Sequence, residues 1–66
     1  MHIICNGKQH PINDTTTLHD LLRELNLAPD TVVAEINKKI IDRDQYEILR
    51  LSEDDQVELI RFVGGG

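Results

Sequence analysis

At 66 residues the chain makes one small domain, of a size that buries only about 60% of the surface its unfolded form exposes. With 39% apolar and 29% charged residues and no low-complexity tract, it reads as globular rather than disordered. Its formal charge of −5 argues against sequence-independent binding to nucleic-acid backbones or anionic membranes, since both are driven by Lys and Arg; an electropositive protein partner suits it better.

The first predicted element is a hairpin, two short apolar-rich runs in "HIICNGKQHPI" around Asn6-Gly7, a dipeptide suited to the φ > 0 geometry of tight turns. Pro11 has no N–H to give a ladder, so the second strand belongs at a sheet edge. In "TTTLHDLLRELNLAP" the residues Leu18, Leu21, Leu22 and Leu25 fall at i, i+3, i+4 and i+7 and share one helical stripe. Thr17 is placed to cap this helix, with Asp20 three residues on giving a capping-box pattern, and Asn26 to Pro29 stops it. "TVVAEIN" is β-branched and strand-like, "KKIID" turns into a short return strand, "DRDQYEI" is a loose turn, "LSEDD" an acidic loop, and "QVELIRFV" the last strand. This order predicts an α+β fold, a mixed sheet of four to five strands packed on one amphipathic helix. The domain spans residues 1–63 and a glycine tail residues 64–66.

Period-2 alternation in the last strand sets Val57, Leu59 and Val63 on one side and Glu58, Ile60 and Phe62 on the other. If the helix covers Val57 and Leu59, then Ile60 and Phe62 stand on the open face of the sheet beside Ile4, a candidate docking patch. The competing reading is that scattered exposed apolar residues are ordinary, or that a loop folds over them.

No catalytic constellation stands out. His2, His10 and His19 lack metal-ligand spacing and read as solvated. Cys5 alternates with Ile3 and points inward as an inert small hydrophobe. It has no cysteine partner, the N-terminus lacks the layout of a secretory signal, and no apolar run approaches the roughly 20 residues of a membrane span. A reduced, cytoplasmic setting is expected. Glu53, Asp54 and Asp55 are consecutive acids that splay apart, reading as a solvated turn or a contact for a basic partner rather than paired carboxylates.

The terminus is the remaining chemical feature. Gly64, Gly65 and Gly66 extend at most about 10 Å. Without Cβ atoms they form a thin probe able to enter a channel too narrow for side chains, with the Gly66 carboxylate at its tip. A carboxylate is a poor electrophile and reacts only after activation, most simply as an acyl-adenylate made by a partner. A frayed end or an artificial extension competes with this reading.

Together, "NG" after the first strand, "TLHDLLREL", "VVAEINKKIIDRDQY" and "EDDQVELIRFVGGG" resemble the ThiS family, the sulfur carriers of bacterial thiamin biosynthesis, over essentially the whole chain. The resemblance implies a ubiquitin-like β-grasp fold and no enzymatic activity of the chain's own. A ThiF-like adenylating enzyme would use ATP and magnesium to activate Gly66, and no cofactor would be bound by the chain itself. A sulfur donor such as a cysteine desulfurase would then leave a thiocarboxylate, and a ThiG-like thiazole synthase would receive the sulfur. Gly64 and Gly65 would thread the narrow approach, and Ile60 and Phe62 would fall where such folds dock activating enzymes. Lys38, where relatives often have glycine, and the third glycine Gly64 depart from the pattern. Carriers for molybdopterin synthesis or tRNA thiolation share the tail chemistry, and a non-covalent ubiquitin-like binding module would use the Ile60/Phe62 face alone.

Overall fold

The structure, a computed structural model, describes residues 1–62. Its five-stranded mixed sheet has strands β1 (His2–Cys5), β2 (Lys8–Pro11), β3 (Val32–Ile36), β4 (Lys39–Ile40) and β5 (Gln56–Arg61), in the order β2-β1-β5-β3-β4. The first and last strands run parallel at the centre, and the other pairings are antiparallel. One α-helix, α1 (Leu18–Glu24), covers one face, in agreement with the α+β reading. No helix among the described residues is long and apolar enough to cross a membrane.

Both hairpin turns contain two residues at positive φ. Asn6 and Gly7 (φ 50 and 82) join Cys5 to Lys8, as the dipeptide predicts. Asn37 and Lys38 (φ 52 and 72) join Ile36 to Lys39, so Lys38 does occupy a left-handed position that favours glycine. Pro11 lies on the edge strand β2, as expected.

The helix is short and depends on its ends. The Thr17 side chain accepts from the Asp20 N–H (3.1 Å) while the Asp20 carboxylate accepts from the Thr17 N–H (3.0 Å), completing the capping box. These bonds hold the Asp20 carboxyl below its usual range, the backbone N–H of Thr17 contributing most. The remaining first-turn donors are met by the chain that follows β4: the Leu18 N–H donates to the Leu49 carbonyl (3.0 Å) and the His19 N–H to that of Tyr46 (2.8 Å). At the other end Asn26, at φ 58, closes a Schellman motif in which the Leu27 N–H donates to the Leu22 carbonyl (2.9 Å) and the Asn26 N–H to that of Arg23 (3.1 Å).

Leu18, Leu21 and Leu22 are fully buried against Ile3, Val32, Ala34, Ile36, Val57 and Leu59. Leu25 departs from the expected stripe: it is the C-cap, and the chain turns there, leaving it partly exposed beside Cys5 and His10. The segment read as a loose turn proves structural. It contains a 3-10 turn (Arg43–Gln45) that delivers Tyr46 into the core, where its hydroxyl donates to the Val32 carbonyl (3.0 Å) and accepts from the Ala34 N–H (3.2 Å). β4 and the Ile41 N–H, which donates to the Ala34 carbonyl (2.9 Å), cover one end of the outer edge of β3, and the Tyr46 hydroxyl takes the Val32 carbonyl and Ala34 N–H that they leave.

Candidate functional site

The alternation of β5 sorts as the sequence predicts. Val57 and Leu59 lie under the helix at 1% and 9% exposure, whereas Ile60 and Phe62 on the other face are 51% and 47% exposed. Antiparallel pairing to β3 fixes their neighbours: Ile60 stands opposite Val33, and Glu58 opposite Glu35. Beyond β5, the Phe62 N–H donates to the Thr31 carbonyl (3.2 Å), so the backbone is tied to its neighbour up to the last described residue. Val63, Gly64, Gly65 and Gly66, which include the expected reactive end, lie outside the described residues.

Ile4 does not join Ile60. The parallel register sets Ile4 opposite Gln56, four positions back along β5 and so about 13 Å from Ile60 along the strand. Ile4 is on the open face but half-buried and at its other end. Physically, a parallel neighbour advances in the same direction, and β1 turns away at Asn6 before it draws level with Ile60. The apolar neighbours of Ile60 on this face come from β3 instead.

Where β1 departs, a side chain continues its ladder. Asn6 Oδ1 accepts from the Leu59 N–H (2.8 Å), and Asn6 Nδ2 donates to the Leu59 carbonyl (3.4 Å). Asn6 is thus both turn residue and clamp on the strand that carries Ile60; its turn role is visible in the dipeptide, but its clamp role depends on the fold.

Cys5 packs at the margin of the core, half-buried, and burial pushes its thiol up, with Glu58 adding to the effect. A nucleophilic thiolate needs the opposite environment. His10 pairs with Glu24 (Nε2 to Oε1, 3.2 Å), tying β2 to the helix, and His2 and His19 lie apart from it on β1 and the helix. Among the described residues no three His, Cys, Asp or Glu side chains are grouped to hold a metal ion.

The acidic loop is a structural joint. Asp55 accepts from the Ser52 N–H (2.8 Å) and the Asn37 amide (3.0 Å), while Asn37 accepts from the Gln56 N–H (3.0 Å). Glu53 accepts from the His2 N–H, and Asp54 sits at φ 65 with its N–H on the His2 carbonyl (2.7 Å). Glu53 and Asp55 thereby knot the entry of β5 to β1 and to the β3–β4 turn.

What remains is a sheet face without a layer of its own among the described residues, carrying Val33, Glu35, Glu58, Ile60 and Phe62. Val33 and Glu35 are the members that sequence reading missed; the alternation of "VVAEI" against the buried Val32, Ala34 and Ile36 is the signal that finds them.

Comparison with known proteins agrees with this architecture. The chain is 42% identical over 53 residues to the sulfur carrier protein ThiS of Bacillus subtilis, covering 80% of each chain. It is also 44% identical over its full 66 residues to a thiazole synthase of Magnetococcus marinus, of whose length it spans 20%. The crystal structure of the thiamine biosynthesis protein ThiS from Geobacter metallireducens superimposes with a TM-score of 0.82 at 28% identity, each chain being covered completely. The fold is accordingly the ubiquitin-like β-grasp. The pattern of the ThiS family matches residues 3–66, and the chain belongs to the ThiS family.

Proposed function

We propose that this chain is a sulfur carrier of thiamine biosynthesis, loaded at the Gly66 carboxylate. The observation that carries the reading is the similarity to the Bacillus subtilis sulfur carrier over four-fifths of both chains. Thiazole synthases from two bacteria that contain a segment similar to the whole of this chain support thiazole synthase as the protein that receives the sulfur.

The chemistry follows from the terminus. An ionised carboxylate resists nucleophiles, so its oxygen first attacks the α-phosphorus of ATP in a ThiF-like partner, with magnesium there and pyrophosphate leaving. The resulting acyl-adenylate has a good leaving group. A persulfide from a desulfurase-type donor attacks the acyl carbon and expels AMP, and a thiol cleaves the sulfur–sulfur bond to leave the thiocarboxylate. The chain's own residues bind and present rather than catalyse. The Phe62 to Thr31 bond, which holds the last described residue to its neighbour, supports a reading in which the sheet presents the tail, Ile60 and Phe62 offer the docking surface, and Gly64 and Gly65 admit the backbone to a narrow active site. Sulfur held covalently in this way does not escape as sulfide.

The test is intact-mass spectrometry after incubation with a ThiF-type enzyme, ATP, magnesium and a persulfide donor. The chain is expected to gain the difference between one sulfur and one oxygen, and a variant lacking Gly66 to keep its thermal transition but gain nothing. An unaltered mass in the parent, under conditions that load an authentic carrier, refutes the proposal.

A further inference from the structure

The open face contains an electrostatic conflict. Glu35 and Glu58 are directly opposite each other on neighbouring antiparallel strands, a placement that brings Cβ atoms to about 5 Å and destabilises a sheet when the charges are alike. Glu35 is half-buried. Among the described residues neither carboxylate takes part in an ion pair, and neither accepts a side-chain hydrogen bond. The next pair on the same face of these two strands is apolar, Val33 with Ile60, and Ile40 lies across from Glu35 on β4 at 70% exposure. Two carboxylates without a contact ion pair are therefore bordered by exposed or half-exposed apolar side chains, with Lys38 of the β3–β4 turn lining the same hollow as Glu58.

Each possible occupant of this face meets that charge. A second copy of the chain, apposed face to face, would bring four carboxylates together, and a nucleic acid or anionic membrane would be repelled. A protein surface that is apolar but presents an arginine or lysine would satisfy both halves of the face, the cation between the two carboxylates and its surroundings over Val33, Ile60 and Phe62. Partial exclusion of water on docking strengthens that contact.

We propose that Glu35 and Glu58 form a receptor for one basic side chain of the adenylating partner, and that the unbound chain carries their mutual repulsion as the cost of this specificity. The inference rests on the reading that this face docks that enzyme. Glu35→Gln with Glu58→Gln removes the charge while keeping size, so repulsion and recognition are lost together. The free double variant is expected to melt up to about 4 °C higher. Its affinity for a purified ThiF-type adenylating enzyme, by calorimetry at two salt concentrations, is expected to fall about tenfold or more, with a weaker salt dependence.

Ile60→Asp serves as the control for the docking face. If the double variant binds like the parent while Ile60→Asp binds weakly, the receptor idea is wrong and the docking face stands. If both bind like the parent, the docking face falls as well. An unchanged or lowered melting temperature in the double variant overturns the claim of stored repulsion. Self-association of the parent in sedimentation, strengthened by the double substitution, would make a second copy the occupant and overturn the assignment to a basic partner.

Discussion

The two faces of β5 belong to one six-residue strand yet answer to different demands. Inward, Val57 and Leu59 lie in a mostly apolar, buried layer under the helix. Outward, Glu58 and Ile60 are exposed, and Glu58 faces a like charge. Burial on one side supplies the stability that permits an unfavourable arrangement on the other. In so small a domain, total stability of roughly 0.05–0.15 kcal/mol per residue leaves little reserve, so the inner face must be well packed before the outer face can be spent on recognition.

That contrast can be broken most forcefully from inside. Leu22→Ala, at a fully buried helix position, should cost about 2–5 kcal/mol in denaturant unfolding, enough to unfold much of the population. A smaller loss would mean that the helix layer is less essential than its burial indicates. Tyr46→Phe should cost about 1–3 kcal/mol, because it leaves the buried Val32 carbonyl and Ala34 N–H without the hydroxyl that joins them. Hydrogen exchange at Ala34 should accelerate with it, and an unchanged rate would argue that the edge is closed by other means.

The smallest effect concerns the helix cap. Thr17→Ala should cost about 1 kcal/mol at neutral pH. Because Asp20 has a lowered pKa in the fold, its contribution is present above the unfolded carboxylate pKa and disappears as pH falls through the folded value. The difference in stability between the parent and Asp20→Asn should therefore shrink in acid; a difference independent of pH would show that the ionised carboxylate is not what the cap uses. By contrast, the outer-face substitutions discussed above are expected to alter binding far more than stability, which is the sharpest form of the comparison.

Much of this was legible from local pattern. The 3.6-residue spacing of Leu18, Leu21 and Leu22, the Thr17–Asp20 cap and the Asn6-Gly7 turn are determined by neighbours in sequence, and each is found where periodicity and turn chemistry place it. Leu25 fitted the spacing but not the fold, because a Schellman turn at Asn26 ended the helix first. What periodicity could not supply was long-range. Tyr46 sits in a segment with no repeating pattern, and its role depends on β4 being too short to cover β3. The position of Ile4 relative to Ile60 is a matter of strand register, which alternation leaves free by any even number of residues. Glu35 and Glu58 become opposed only when two distant segments pair. The candidate face was thus visible as the outer half of β5; the outward side of Val33 and Glu35 was written in the alternation of β3, but their place beside Ile60 and Glu58 required the sheet.

The Asn6 grip on Leu59 has a mechanical meaning. Past that point one flank of β5 is braced by β3 through the Arg61–Val32 pair and then by the Phe62 to Thr31 bond, and the other is held by a single amide in place of a strand. A pull on β5 at Phe62 would load those bonds in shear, along the strand axis rather than across it. Because Val57 and Leu59 of the same strand lie under the helix, such a load would be shared with the core rather than borne by the strand alone.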